Sequence, residues 1–442
     1  MRVATRLTEL AAAAEARHPK AQPASRFLFY SHDGLGLGHL RRNLSVATAL
    51  AELDPEASIL LATSAEEAQC FSLPPTVDIL KLPGLRKIDN GRYAARRLNV
   101  TWGHMRSVRS SLLLAAVESF RPTVLLADKH ALGIGKELEP ALKAMRAAGG
   151  HAVLGLRDVL DEPAAVREEL SGHGLFERIA EYYDRVLVYG QPDILDVSRE
   201  YGFPEEVRRM TSFCGYVVDA AANRSQENGN AASVHQPPRV LATAGGGEDG
   251  FALLAAFVEA AAHAGWDAGV VSGPQCSPED ARRLNDLAST AGVAFRRFVP
   301  DLSSEFGSLD ALVCMGGYNT LTEAAACGVS TVCVPRVQPR REQLIRAQAF
   351  ASRGLLTLVD PRRLEPAVLG AEVEWALARQ TSGGSVTHNL DLNGASRAAS
   401  VLRKLASEAS PPRAWPRSRV ATEWMRRTVR GTGLQATRGG RR

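Results

Sequence analysis

The feature that most constrains the fold is a regular alternation between short runs rich in Val, Leu and Ile and longer, alanine-rich stretches with helical spacing. Parallel strands that are buried on both faces of a sheet require continuous apolar runs, and a crossover helix must join each strand to the next. We therefore predict an α/β fold in which parallel sheets are flanked by helices.

The apolar runs fall into two series. The first series comprises 26–31, 58–63, 77–80, 123–127, 152–156 and 185–189, and the second comprises 239–244, 268–272, 293–299, 311–315, 330–335 and 355–359. A polar segment without periodicity, 221–238, separates them and is typical of a linker. This spacing predicts one domain over 26–220 and a second over 239–410 that ends in a crossover helix, with a flexible extension at 1–25 and a basic tail at 411–442.

Charge and cysteine content exclude several classes of protein. The chain has 442 residues and a net charge of +5, but the tail alone carries nine arginines against Glu423, so the remaining chain is slightly acidic. A broadly basic, nucleic-acid-binding body is therefore excluded. The six cysteines form no CxxC pair, and no apolar run reaches the roughly 18 residues of a membrane span. We expect a cytoplasmic protein without a nucleic-acid partner.

A glycine-rich loop follows the first predicted strand and ends in a histidine. It contains Asp33, Gly34, Gly36, Gly38 and His39. Glycines let backbone N–H groups approach an anion at a helix N-terminus, and an imidazole beside them is available for acid/base chemistry near neutral pH. The GxGxG spacing differs from the GxGxxG of dinucleotide-binding loops. A turn that merely joins strand to helix remains the alternative.

The second domain opens in the same way, because three adjacent glycines, Gly245, Gly246 and Gly247, follow its first predicted strand. Such glycines are costly unless the backbone must come close to another group. A diphosphate is the natural candidate, and a loose turn is again the alternative.

A third loop, Gly316-Gly317, precedes a short helix that is predicted to begin near Asn319 or Thr320 and to end at Gly328. Glu323 lies one turn into this helix. It completes a Thr-x-x-Glu capping box with Thr320, which is the structural interpretation. The functional interpretation is that its carboxylate accepts hydrogen bonds from a ribose diol.

Taken together, these stretches resemble the GT-B glycosyltransferases, in particular the group containing the peptidoglycan enzyme that adds N-acetylglucosamine to a lipid-linked muramyl intermediate. The matching stretches are GLGLGH at 34–39, GGG at 245–247, TLTEAAACG at 320–328 and VPRVQPRREQ at 334–343. The middle of the first domain, 125–135 and 154–163, differs from that enzyme and is more similar to a bacterial branch of predicted glycosyltransferases.

The resemblance implies two facing Rossmann-like domains, with the acceptor on the first and a nucleoside-diphosphate sugar, UDP-linked, on the second. The implied donor-binding residues are Gly245, Gly246, Gly247, Gly316, Gly317, Asn319, Thr320, Glu323, Arg341, Glu342 and Gln343. On the acceptor side we expect Gly34, Gly36, Gly38, Asp128, Lys129, His130, Arg157 and Asp158, although surface salt bridges would explain the last five equally well.

The expected reaction is an inverting transfer in which His39 or Asp33 acts as the base. Glycine-loop amides, a helix dipole and one of Arg336, Arg340 and Arg341 would stabilise the departing diphosphate, without a metal or other cofactor. A sugar-nucleotide epimerase or hydrolase, and a non-catalytic sugar-nucleotide-binding protein, are the alternatives. The tail at 411–442 also predicts peripheral contact with an anionic membrane, with a solvated tail as its alternative.

Overall fold

The computed structural model describes residues 25–31, 37–89, 92–218, 236–381 and 390–409. The predicted extension at 1–25 except its last residue, most of the linker at 221–238, and the tail at 411–442 lie outside the described residues. The same is true of three candidate site residues, Asp33, Gly34 and Gly36.

The first sheet has seven parallel strands and contains every strand predicted for the first series. The strands of this half are β1 (Arg26–Tyr30), β2 (Ser58–Thr63), β3 (Val77–Lys81), β4 (Leu85–Asp89), β5 (Arg92–Ala95), β6 (Val124–Asp128), β7 (His151–Arg157), β8 (Arg185–Tyr189) and β9 (Thr211–Phe213). Their order in the sheet is β3-β2-β1-β6-β7-β8-β9, and β4 and β5 form a separate antiparallel pair. Neither β9 nor the β4–β5 pair was predicted, because their sequences lack a continuous apolar run.

The second sheet has six parallel strands, each of which matches one of the second series of apolar runs. They are β10 (Arg239–Thr243), β11 (Asp267–Val271), β12 (Ala294–Arg296), β13 (Ala311–Cys314), β14 (Ser330–Cys333) and β15 (Thr357–Leu358). The order is β12-β11-β10-β13-β14-β15. The predicted α/β class with two helix-flanked parallel sheets is confirmed.

Helices connect the strands and cover the sheets. They are α1 (Gly38–Leu53), α2 (Trp102–Phe120), α3 (Glu139–Ala148), α4 (Pro163–Ser171), α5 (Leu175–Tyr182), α6 (Val197–Glu200), α7 (Glu205–Arg209), α8 (Phe251–Ala261), α9 (Pro278–Ala291), α10 (Tyr318–Cys327), α11 (Glu342–Ala351), α12 (Pro366–Thr381) and α13 (Gly394–Glu408). Within the described ranges, no helix combines the length and the apolar composition that a membrane crossing requires.

One hydrophobic core joins the two halves of the molecule. Phe27 and Phe29 of β1 belong to the same buried cluster as Leu241 of β10 and Leu312 of β13. The last helix, α13, packs on α1 of the first half and contributes residues such as Leu402 to this cluster. The two sheets therefore face each other across a shared apolar boundary, and their strand ends border one cleft.

Candidate active site

The cleft between the two sheets contains a cavity of about 220 Å³. It lies beyond the carboxyl ends of β10, β11 and β13, where open parallel sheets bind their ligands. The first turns of α1 and α10 form opposite walls. Among the predicted site residues it is lined by Gly38, His39, Arg157, Gly245, Gly246, Gly317, Asn319, Thr320 and Glu323.

The glycine loop after β10 divides into a part that faces the cavity and a part that packs inside the domain. Gly245 and Gly246 line the cavity, and a Cβ added to Gly245 would meet nothing within 4 Å. Gly247 has a φ of +93°, and a Cβ there would lie 2.1 Å from the carbonyl oxygen of Ser272. The loop therefore presents the backbone of its first two glycines to a ligand, while Gly247 allows close packing between two loops.

The helix α10 brings Glu323 to the cavity wall. The helix ends at Gly328, with φ of +69°, as predicted, but it begins at Tyr318, and its N-cap residue Gly317 makes no side-chain capping bond. Glu323 is buried, and its Oε1 lies 2.7 Å from Nη2 of Arg41, which belongs to α1 in the other domain. The capping-box interpretation is therefore wrong, because Thr320 lies within the helix and is not its N-cap residue. The carboxylate forms an ion pair across the cleft.

Arg41 and Arg42 follow His39 in the first turn of α1, and neither was predicted from the sequence. Cations are disfavoured at a helix N-terminus by the helix dipole, so two arginines there indicate nearby anions. Each arginine has an anionic partner. Arg41 pairs with Glu323, and Arg42 Nη2 donates to both carboxylate oxygens of Asp128 at 2.7 Å. The position of these two arginines directly after the glycine loop was the sequence signal that could have identified them as site residues.

His39 forms a buried cluster with Asp128 and Arg42. Its Nδ1 lies 2.6 Å from Oδ2 of Asp128, and Arg42 Nη2 lies 2.9 Å from the same Nδ1. The guanidinium of Arg42 is held between the rings of Tyr189 and Tyr318, each centroid 5.4 Å away. With the proton on Nδ1 donated to Asp128, the imidazole lone pair is at Nε2, which is the tautomer a general base needs.

Burial controls the ionisation of this cluster. It lowers the pKa of His39 to about 3, and the cationic Arg42 and Arg157 add to this effect, while Asp128 opposes it. Arg42 and His39 hold the pKa of Asp128 well below its usual range. His39 is therefore neutral and Asp128 charged at neutral pH.

The remaining predicted acceptor-side residues surround this cluster at the ends of β6 and β7. Burial and the nearby Arg157 lower the pKa of Lys129 to about 7, and burial with Lys129 lowers the pKa of His130 well below its usual value. Asp158 is bound by a residue of the other domain: Arg346 donates from Nη2 to Oδ1 at 2.7 Å and from Nε to Oδ2 at 2.8 Å. Both partners are buried, so they form an ion pair between the domains.

The residues after β14 lie beside the cavity without lining it. Arg336 donates from Nη2 to Glu342 at 2.6 Å and from Nη1 to Asp249 at 2.9 Å. Its backbone N–H donates to Oε1 of Gln343 at 3.1 Å. Gly316 is also buried outside the cavity lining, against Cys333 and Gln343.

Arg340 and Arg341 contact the first domain. Arg340 lies 3.7 Å from a carboxylate oxygen of Asp161, and Arg341 pairs with Glu162 at 3.1 Å. The three arginines predicted to stabilise a leaving group are thus all paired with carboxylates. In the described part of the chain, no group of three or more His, Cys, Asp or Glu side chains could hold a metal ion.

Comparisons of sequence identify curated relatives. No protein-family model matches the chain. A UDP-N-acetylglucosamine--N-acetylmuramyl-(pentapeptide) pyrophosphoryl-undecaprenol N-acetylglucosamine transferase of Paenarthrobacter aurescens is 26% identical over 346 residues, which cover 76% of this chain and 84% of that protein. The Corynebacterium efficiens protein of the same name is 26% identical over 251 residues, covering 54% and 66%.

Solved structures that are similar to this chain include glycosyltransferases as well. The structure of Acinetobacter baumannii MurG has a TM-score of 0.54 at 14% identity and covers 86% of this chain and 100% of its own. The calicheamicin glycosyltransferase CalG4 has a TM-score of 0.56 at 17% identity, covering 88% and 100%. The chain therefore has the GT-B fold of these glycosyltransferases and is related in sequence to the peptidoglycan N-acetylglucosaminyltransferases.

Proposed function

We propose that the chain transfers a sugar from a UDP-sugar to an acceptor hydroxyl, with inversion at the anomeric carbon. The observation that carries this proposal is the convergence of His39, Glu323 and the Gly245-Gly246 backbone on one cavity. A base and a nucleotide site from opposite domains are the parts that such a transfer needs. The relatives named above take their sugar from UDP-N-acetylglucosamine, which favours UDP as the nucleotide.

In the proposed donor pose, Glu323 accepts hydrogen bonds from the ribose hydroxyls. The diphosphate lies against the backbone N–H groups of Gly245 and Gly246 and the N-terminus of α10, where the helix dipole favours negative charge. The apolar end of the cavity, formed by Phe298, Val299, Pro300, Leu302 and Phe306, suits the flat uracil ring.

The chemistry follows from the position of His39. The acceptor hydroxyl loses its proton to Nε2 of His39, and its oxygen forms a bond to the anomeric carbon. The bond from that carbon to the β-phosphate oxygen breaks, its electron pair stays on the phosphate, and UDP leaves. Asp128 stabilises the imidazolium that forms, because it is charged and 2.6 Å from Nδ1.

Negative charge on the departing UDP requires stabilisation. We infer that fixed N–H groups and arginine side chains provide it without a metal ion or other cofactor. Such preorganised donors are effective in a partly closed cleft, since little water competes with them.

The acceptor and its location are part of the same proposal. The curated relatives act, by name, on a pyrophosphoryl-undecaprenol acceptor. A lipid-linked acceptor is consistent with the nine arginines of 411–442, each of which would add about 1 kcal/mol at an anionic membrane surface. Co-sedimentation with anionic and neutral vesicles, comparing the full chain with one that ends at Ser410, tests this contact. Equal binding by both chains would exclude a role for the tail.

The function itself is tested by calorimetric titration with UDP, GDP and dTDP, followed by incubation of the preferred nucleotide sugar with a bacterial lipid extract. Transfer predicts release of UDP and a glycosylated product that depends on His39. Free sugar with UDP would indicate a hydrolase, an isomerised donor without UDP release would indicate an epimerase, and binding without turnover would indicate a binding protein. Failure of every nucleotide to bind would refute the donor site.

A further inference from the structure

Two partly buried cations, Arg157 at the cleft and Lys129 near it, have no carboxylate within ion-pair distance among the described residues. Their neighbours differ in this respect. Arg42 pairs with Asp128, Arg346 with Asp158, and Arg336 with both Asp249 and Glu342. The cleft therefore contains more positive charge than its own carboxylates neutralise.

Arg157 is the member of this pair that lines the cavity. It is the last residue of β7, and its Nε is fully buried without a hydrogen-bond partner. Desolvation and the nearby cationic Arg346 and Arg42 together lower its pKa to about 10, and Glu342 and Asp158 only partly oppose them. A guanidinium that is partly removed from solvent among other cations is destabilising unless an anion compensates its charge.

The same cavity contains Gly245, Gly246 and the N-terminus of α10, all of which favour an anion through backbone N–H groups. The other arginines near the cleft are already engaged: Arg336, Arg340 and Arg341 each bind carboxylates. Arg157 is thus the cavity-lining arginine whose unpaired positive charge an incoming diphosphate would neutralise. A guanidinium can bind phosphate oxygens through two parallel N–H bonds.

We propose that Arg157, although it belongs to the acceptor domain, binds the diphosphate of the nucleotide-sugar donor and stabilises the charge that develops on the departing nucleotide. This inference rests on the proposed function. Because Arg157 reaches the donor from the opposite domain, full diphosphate affinity requires the two domains to be closed on each other. A donor bound to the second domain alone would lack this contact.

The test compares the binding of UDP and uridine by Arg157→Gln and the wild type, using calorimetric titration of the full chain. Loss of a charged hydrogen bond is expected to weaken UDP binding by about 10- to 100-fold. Uridine affinity should be unchanged, because uridine lacks the diphosphate. The melting temperature of the ligand-free variant should equal or exceed that of the wild type, since the substitution removes a cation that has no partner.

Two further variants complete the design. Arg157→Lys retains the charge and should recover part of the UDP affinity. Arg146→Gln changes an exposed arginine of the same domain that pairs with Asp184 and does not line the cavity, so both affinities should be unchanged. An unchanged ratio of UDP to uridine affinity in Arg157→Gln would overturn the inference while leaving the donor site intact. Absence of UDP binding by the wild type would instead refute the proposed function.

Discussion

Arg41 and Glu323 form an ion pair across the cleft, with 2.7 Å between Nη2 and Oε1, although they lie in different domains. Arg41 also donates to Oγ of Ser303 at 3.2 Å, which fixes its side chain on the wall of the second domain. The carboxylate proposed for the ribose is thus engaged by a cation from the helix that carries His39. A bound ribose must share this carboxylate with Arg41 or displace it.

Glu323→Gln is expected to weaken uridine and UDP binding by similar factors, because both ligands contain the ribose. Loss of a charged acceptor should cost about 1.5 to 3 kcal/mol of binding free energy. Calorimetric titration with both ligands measures this. A lowered melting temperature with unchanged affinities would show that the residue is only structural.

Arg41→Ala is expected to have the opposite effect on uridine. The substitution removes the group that competes with the ribose for Glu323, so uridine should bind several-fold more tightly. Stability should fall by about 1 to 3 kcal/mol, because the buried carboxylate loses its charged partner. Thermal denaturation and titration of one preparation give both values. Weaker uridine binding would instead show that Arg41 contacts the nucleoside directly.

Arg42→Met is expected to change the pH dependence of kcat/KM. In the wild type the pKa of His39 is about 3, so its protonation should not lower the rate between about pH 5 and 8. Arg42 lowers the pKa of His39 and neutralises Asp128; without it, the carboxylate should raise the histidine pKa. The pH below which kcat/KM falls should therefore move toward neutral pH.

The matched variant Arg42→Lys keeps a cation beside Asp128 and should show a smaller displacement of the acid side. Initial rates over a pH series, with circular dichroism at each pH to verify folding, provide the measurement. If the profiles of the wild type and Arg42→Met coincide, His39 is not the group whose ionisation Arg42 controls, and the base must be sought elsewhere.

Sequence patterns predicted the architecture well because buried parallel strands leave a local signal. Every predicted apolar run corresponds to a strand. The strand β9 has only three residues and gives no such signal in the sequence. Glu323 was identified from its motif, but its partner Arg41 lies 282 positions earlier, and no local pattern specifies a contact between distant elements. For the same reason Arg346, which binds Asp158 across the domain boundary, was not predicted.

Asp158→Asn is expected to destabilise the protein strongly, because it leaves the guanidinium of Arg346 buried without its counter-charge. Removing one partner of a buried ion pair typically costs about 3 to 5 kcal/mol. Chemical denaturation, monitored by circular dichroism, measures the loss. The double variant Asp158→Asn with Arg346→Met should recover part of it, since no unpaired cation remains. A double variant as unstable as the sum of its single variants would contradict a direct pairing.

Lys129→Met is expected to stabilise the protein in a pH-dependent way. The pKa of Lys129 falls from 10.5 to about 7 on folding, so between these values the unfolded chain binds more protons than the native one. Native stability therefore decreases as the pH falls from 10.5 to about 7, and the penalty is then constant at lower pH. Methionine has no such penalty. Its advantage over the wild type should be largest at pH 7 and should vanish near pH 10.5.

The matched control for this prediction is Lys143→Met, which removes an exposed lysine that pairs with Glu139 on α3. Burial does not destabilise the charge of Lys143, so its replacement should give no gain at pH 7. Urea denaturation at pH 7 and pH 10 would compare both variants with the wild type. Equal effects of the two substitutions at pH 7 would show that Lys129 is as well solvated as Lys143. A gain confined to Lys129→Met would show that this residue holds its charge at a cost in stability.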